Sequence, residues 1–310
     1  MDLLQLRRDL KPFSFQDSHN SDLAKGYFRY YGIDFEDRSD VQHCFGRLKC
    51  RDFDIALHYF HPADPRGTVF IMHGYFDHVG IYAHLIEYFL QRKYAVVSYD
   101  QPGHGLSSGE RVDIDNFGQY VEVLECCLES GQSDCAKPFH IVGQSMAGTV
   151  IMTYLLRNTF SPEDCPFDNI VLLAPLVHPS GWRIGKWLHA IGKYLLRQRK
   201  RSFSVNSHDP EFLEFLSKRD SLQSTVLPLR WVTALKDWIG EFNELPTSAL
   251  RVTVIQGTED RTVDWKYNMK VVSEKFPNLT IHYLSGARHH LVNESEPYRK
   301  KMFAFIDALF

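Results

Sequence analysis

The feature that most constrains the fold is an alternation of short apolar runs with helical patterns. Apolar runs at 68–72, 94–99, 139–142, 170–173, 252–255 and 279–284 alternate with segments at 79–92, 113–130, 150–156, 264–276 and 297–309, where apolar residues recur at helical spacing. Short buried strands joined by amphipathic helices predict an α/β fold with a mostly parallel sheet covered on both faces. Two further strand patterns, at 42–49 and 53–61, are joined by so short a turn that they must be antiparallel neighbours. The first forty residues, with Tyr27, Phe28, Tyr30 and Tyr31, read as an extension packed on the main body. After 170–173 the alternation stops, and residues 178–250 are too long for a plain loop and carry helical patterns. The predicted organisation is an N-terminal extension (1–40), a core (41–177 and 251–310) and a helical cap, or lid, inserted at 178–250.

Composition narrows the function. Lys and Arg number 35 against 38 Asp and Glu, a net charge of −3, which does not suggest a nucleic-acid partner. Residues 178–250 depart from this average, with eleven Lys/Arg and seven Asp/Glu. No apolar run approaches the ~20 residues of a membrane-spanning helix, and the N-terminal stretch has no secretory pattern. The six cysteines form no C-x-x-C pair. They are expected as reduced thiols in a cytoplasmic protein.

In a parallel sheet, sites form at the carboxyl ends of strands. The run at 139–142 is followed by Gly143-Gln144-Ser145-Met146-Ala147-Gly148 and then a helix. This is the pattern of a nucleophile elbow, where small flanking residues permit a strained turn that thrusts a serine out at a helix N-terminus. A serine hydroxyl needs a base, and the base an orienting acid. Candidates follow the next strands in the order such a site requires. Asp260 lies past 252–255, with Glu259 and Asp264 as alternatives; His289 lies past 279–284, with His290 as the alternative. His73-Gly74-Tyr75 follows the run at 68–72, so the backbone N–H groups of Tyr75 and Met146 are the candidate oxyanion donors. The His73 side chain reads as a structural group under this loop.

These residues resemble the α/β-hydrolase superfamily, and within it the monoacylglycerol lipase and lysophospholipase group, which is also classed with the serine aminopeptidase S33-type hydrolases. Five motifs of that group occur in order over about residues 45–310, the insertion excepted. They are HG-x-G-E-H as His73 to His78, D-x-x-G-H-G-x-S-x-G as Asp100 to Gly109, G-H-S-M-G-G as Gly143 to Gly148, G-x-x-D as Gly257 to Asp260, and G-A-x-H as Gly286 to His289. The resemblance favours Asp260 and His289 over their neighbours. It implies hydrolysis of a lipid-like carboxylic ester through an acyl-enzyme on Ser145, with no metal or organic cofactor. Three positions depart from the pattern: Phe76 and Ala147 replace glycines, and Gln144 replaces a histidine.

Phe76 and Gln144, with Trp182 and Trp187 of the insertion, are expected to meet substrate. A helical stripe of Ile184, Trp187, Leu188, Ile191 and Leu195 is predicted over the pocket. Residues 178–201 hold seven Lys/Arg and no acid, which suits either a solvated face or peripheral contact with an anionic membrane or head group. The same triad serves short-chain esters, thioesters, amides or peptides, and a non-catalytic ligand-binding protein can share the fold.

Overall fold

The computed structural model describes residues 2–37, 40–192 and 196–310. Helices α1 (Leu3–Asp9) and α2 (Asp22–Tyr31) open the chain. The Ser21 hydroxyl accepts from Ala24 N–H to start α2, and Gly32, in a left-handed conformation, ends it. Strands β1 (Val41–Cys50) and β2 (Phe53–Pro62) form the expected antiparallel pair. Then come β3 (Thr68–Met72), α3 (Ala83–Gln91), β4 (Ala95–Tyr99), α4 (Gly118–Gly131), β5 (Phe139–Gln144), α5 (Met146–Asn158) and β6 (Asn169–Leu173). The insertion carries α6 (Trp182–Gly192), β7 (Gln198–Lys200), α7 (Pro210–Glu214), a π turn (Phe215–Arg219), β8 (Val226–Pro228) and α8 (Leu229–Glu244). The core resumes with β9 (Thr253–Gly257), α9 (Trp265–Lys275), β10 (Thr280–Leu284) and α10 (Glu296–Asp307).

Eight strands form one sheet in the order β1-β2-β4-β3-β5-β6-β9-β10. From β4 to β10 every neighbouring pair is parallel; β2 meets β4 antiparallel. Strand alternation divides the core between the two faces. Phe70, Met72, Ile141 and Leu172 join the cluster under α4, α5, α8 and α9. Val69, Ile71, Val142 and Val171 join the one under α1, α2, α3 and α10. The N-terminal extension is therefore part of the core: Leu6, Tyr27, Phe28 and Tyr31 are buried there. The insertion is anchored on both sides: Leu216 and Leu222 join the extension's cluster, and on the other face Trp238 of α8 is buried and donates its indole N–H to Thr153 Oγ1 at 2.7 Å.

The structure corrects the reading of six reduced thiols. Cys50, at the end of β1, and Cys126, on α4, have Cα atoms 5.8 Å apart and form a disulfide. They are 76 residues apart, and only packing of α4 against β1 brings them together, so no local spacing announced them. Cys44, Cys127 and Cys135 are buried free thiols, and burial pushes each thiol above its ordinary pKa. Among the described residues no helix is long and apolar enough to cross a membrane.

Candidate active site

The turn from β5 to α5 is built as its small residues suggest. Ser145 adopts φ +55° and ψ −113°, a strained conformation for a non-glycine residue. A Cβ on Gly143 would lie 2.4 Å from Ile151 Cδ1 and 3.0 Å from Ala147 Cβ, so any larger side chain there would have to displace Ile151 and press on the first turn of α5. Ser145 N–H donates to Leu173 O at 2.8 Å, and Ser145 O accepts from Gly148 N–H and Leu176 N–H. These bonds hold the turn to β6 and to the start of α5.

Three side chains meet at the strand ends. Ser145 Oγ lies 2.9 Å from His289 Nε2. His289 Nδ1 lies 2.7 Å from Asp260 Oδ2, so an Nδ1–H donor and an Nε2 acceptor complete a continuous chain. Asp260 Oδ1 accepts from the backbone N–H of Thr262 and Val263, and Oδ2 also accepts from Gln256 Nε2–H at 3.2 Å. Burial raises the Asp260 pKa, but His289 and these N–H donors outweigh it and hold the carboxyl below its ordinary value. The alternatives serve elsewhere. Glu259 is exposed, and Asp264 accepts from Tyr267 N–H to cap α9. His290 turns its Nε2 to within 3.2 Å of Asp77 Oδ2.

The loop after β3 presses on the same turn. A Cβ on Gly74 would stand 3.3 Å from Ser145 Cβ. Neither Tyr75 N–H nor Met146 N–H has an acceptor among the described residues. His73 sits beneath, as expected: Nδ1–H donates to Gly74 O and Nε2 accepts from Gln101 N–H, both at 2.8 Å. Burial lowers its pKa, and these two bonds fix the neutral tautomer.

Ser145 and His289 open into a cavity of about 500 Å³ between sheet and insertion. Phe76, Gln144 and Trp182, three of the residues expected to meet substrate, line it, and Gln144 Nε2–H also donates to His289 O at 2.9 Å. Tyr75 stacks on Trp231 of α8 with ring centroids 3.7 Å apart, so α8 forms part of the same wall. Trp187 departs from the expectation: it is 69% exposed and lies outside the described cavity lining. The reason is the phase of α6. Trp182, Gly185 and His189, spaced three and four apart, face the cavity, which turns Ile184 and Trp187 to the opposite side. The side chains of Leu188 and Ile191, and the whole of Leu195, lie outside the described residues. Sequence reasoning passed over Arg201 and Asn206 as lining residues, because each reaches the cavity through the fold of the insertion rather than through a motif.

A serine, histidine and carboxylate at the strand ends of this sheet define the protein as an α/β hydrolase of the monoacylglycerol lipase-like group. The chain belongs to the family described as serine aminopeptidase, S33, whose model matches residues 63–296. A monoacylglycerol lipase of Mycolicibacterium smegmatis is 26% identical over 75% of this chain and 84% of its own. Phospholipase YtpA of Bacillus subtilis is 25% identical over 75% of this chain and 91% of its own. The fold is shared with the crystal structure of a Paleococcus ferrophilus monoacylglycerol lipase, at 20% identity and a TM-score of 0.69, over 83% of this chain and 98% of that one.

Proposed function

We propose that the protein cleaves lipid-like carboxylic esters through an acyl-enzyme on Ser145. The observation that carries this reading is the Ser145–His289–Asp260 chain opening onto a largely apolar cavity. Ser145 Oγ attacks the ester carbonyl while its proton passes to His289 Nε2. Asp260 keeps the imidazole oriented and stabilises its cationic form. The N–H groups of Tyr75 and Met146 receive the oxyanion. Collapse breaks the ester C–O bond, and His289 returns the proton to the leaving alcohol. Water then attacks the acyl-enzyme with His289 as base, and Ser145 is released.

Residues 178–250 act as a cap that supplies one wall of the acyl site. The relatives named monoacylglycerol lipase and phospholipase support an acyl-glycerol type of substrate. Arg199 and Arg201 line the cavity and would repel the free ammonium of an aminopeptidase substrate, which favours the ester over the peptide. The outward face of α6 carries Ile184, Trp187, Arg183 and Lys186, all exposed. Apolar anchors among cations suit peripheral contact with an anionic lipid surface.

The test is hydrolysis of p-nitrophenyl esters from acetate to palmitate by wild type and Ser145→Ala. A rate that rises with chain length and falls at least about 10³-fold in the variant is expected. Hydrolysis by Ser145→Ala at the wild-type rate overturns the assignment.

A further inference from the structure

Arg201 is a cation held in the cavity wall without a carboxylate in direct contact, Asp77 and Asp220 acting on it only from a distance. Its backbone N–H donates to Thr225 O at 2.8 Å, just past the β7–β8 pairing, which fixes where the side chain starts. Nη1–H donates to Gln223 Oε1 at 2.6 Å and to Ser224 O at 3.2 Å. The guanidinium carbon lies 3.9 Å from the ring centroid of Phe76 and 4.5 Å from that of Phe203. Among the described residues no carboxylate lies within ion-pair distance, and Nε and Nη2 have no acceptor. Burial lowers its pKa to about 10, so it remains charged at neutral pH. A half-buried guanidinium with unused donors is costly unless something anionic completes it.

The surroundings hold that group in place and extend the site. Gln223, which receives Nη1–H, donates its own Nε2–H to Asp220 Oδ2 at 3.0 Å. Asp220 is in turn fixed by Tyr31 Oη–H at 2.7 Å and His78 Nε2 at 2.9 Å. The guanidinium is thus aimed by a chain of bonds rooted in the buried Asp220, Tyr31 and His78 side chains. Phe76 supplies the stacking face at a position where the related pattern has glycine, which could not. Arg199 lines the same cavity, and so does Asn206, whose buried Oδ1 has no partner. Asp77 is the one carboxylate among the described lining residues, and it accepts from Tyr82 Oη–H and faces His290.

We propose that Arg201, stacked on Phe76 and held by Gln223, is an anion subsite, and that the preferred ester carries a phosphate or carboxylate beyond its scissile carbonyl. The inference rests on Ser145 as the nucleophile of this cavity and adds the charge of the substrate. Both sources of negative charge present paired oxygens to the Nε and Nη2 donors, which is the geometry guanidinium recognises best. A phosphate would belong to the leaving alcohol, a carboxylate to the far end of the acyl group.

Two substrate pairs separate these sources. Decanoylglycerol phosphate against decanoylglycerol tests an anionic alcohol. The mono-p-nitrophenyl ester of adipic acid against p-nitrophenyl hexanoate tests an anionic acyl end. Wild type should prefer the anionic member of one pair, and Arg201→Gln should reduce that ratio of kcat/KM at least about tenfold, with Arg201→Lys between the two. The pair that responds identifies the source. Ratios unchanged by Arg201→Gln in both pairs overturn the subsite. Should Arg201→Gln fail to fold, wild type decides alone: decyl phosphate must inhibit p-nitrophenyl hexanoate hydrolysis at least about tenfold more strongly than decanol, and equal inhibition overturns the subsite. Hydrolysis that depends on Ser145 but ignores charge refutes the anion subsite only. Absence of Ser145-dependent hydrolysis of any ester refutes the proposed function itself.

Discussion

Asp220→Asn tests how the cap is joined to the core. Asp220 lies in the insertion, His78 in the loop after β3, and Tyr31 at the end of α2; the Asp220 and His78 side chains are fully buried. The carboxylate accepts from Tyr31 Oη–H, His78 Nε2–H, Leu222 N–H and Gln223 Nε2–H. Burial alone would raise the Asp220 pKa, but His78 and these donors outweigh it and bring it down from 3.8 to about 2. Burial alone would lower the His78 pKa, but Asp220 outweighs it and the net shift is upward from 6.5. The Asp220 shift corresponds to roughly 2–3 kcal/mol of stability at pH 5.5. Removing one partner of a buried pair costs about 3–5 kcal/mol where the other stays charged. His78 can escape by losing its proton, so the expected loss is about 3 kcal/mol at pH 5.5.

The sign of the pH dependence follows from both shifts. The Asp220 contribution is complete above pH 3.8 and is lost as pH falls toward 2. The His78 contribution is complete below pH 6.5 and is lost as pH rises through its raised folded value. The stability difference between wild type and Asp220→Asn should therefore be largest between about pH 4 and 6.5 and should shrink at alkaline pH. Urea denaturation of both proteins at pH 5.5 and 9 measures it as a shift in midpoint at constant slope. A difference below about 0.5 kcal/mol at pH 5.5, or one that does not change between the two pH values, refutes the buried ion pair.

Gly257→Ala should misplace the histidine without touching it. The added Cβ would stand 2.4 Å from both Ala287 O and Arg288 O, so the loop before His289 must move. A loss of kcat of about 100-fold on p-nitrophenyl hexanoate is expected, with the protein still folded by circular dichroism; activity within threefold of wild type would show that the loop has slack. For membrane contact, cosedimentation with phosphatidylglycerol vesicles should exceed that with phosphatidylcholine vesicles and weaken in high salt. Trp187→Ala should reduce it further, and equal binding to both vesicle types would exclude the anionic surface.

The core was legible because its information is local. Five buried strands and the edge strand β10 announced themselves as short apolar runs, and the elbow as small residues around Ser145, whose φ is +55°. The ends of helices were less legible. Residues 113–117 share the apolar pattern of α4, yet the helix starts at Gly118, and α5 starts at Met146 rather than 150, because tertiary bonds to the elbow set its first turn. The Cys50–Cys126 bridge was invisible for the same reason, since only the packed sheet brings its partners together.

The facing of α6 was misread for a different reason. An amphipathic helix over a largely apolar cavity has two faces to present, one to the cavity and one outward, and periodicity gives the stripe but not which side it meets. For α6 the structure places Trp182 and His189 on the cavity side and leaves Ile184 and Trp187 outside. The basic residues were equally ambiguous. Arg183 and Lys186 are exposed, whereas Arg201 turns inward onto Phe76. What separates them is the register of β7 with β8 and the Asp220–Gln223 chain, the second of which is held by Tyr31 of α2 and His78 of the loop after β3. If Arg201 reads substrate charge, its orientation is set at a distance by the N-terminal extension. Asp220→Asn would then erode the preference for anionic esters as well as stability, while Ser145, His289 and Asp260 kept their geometry.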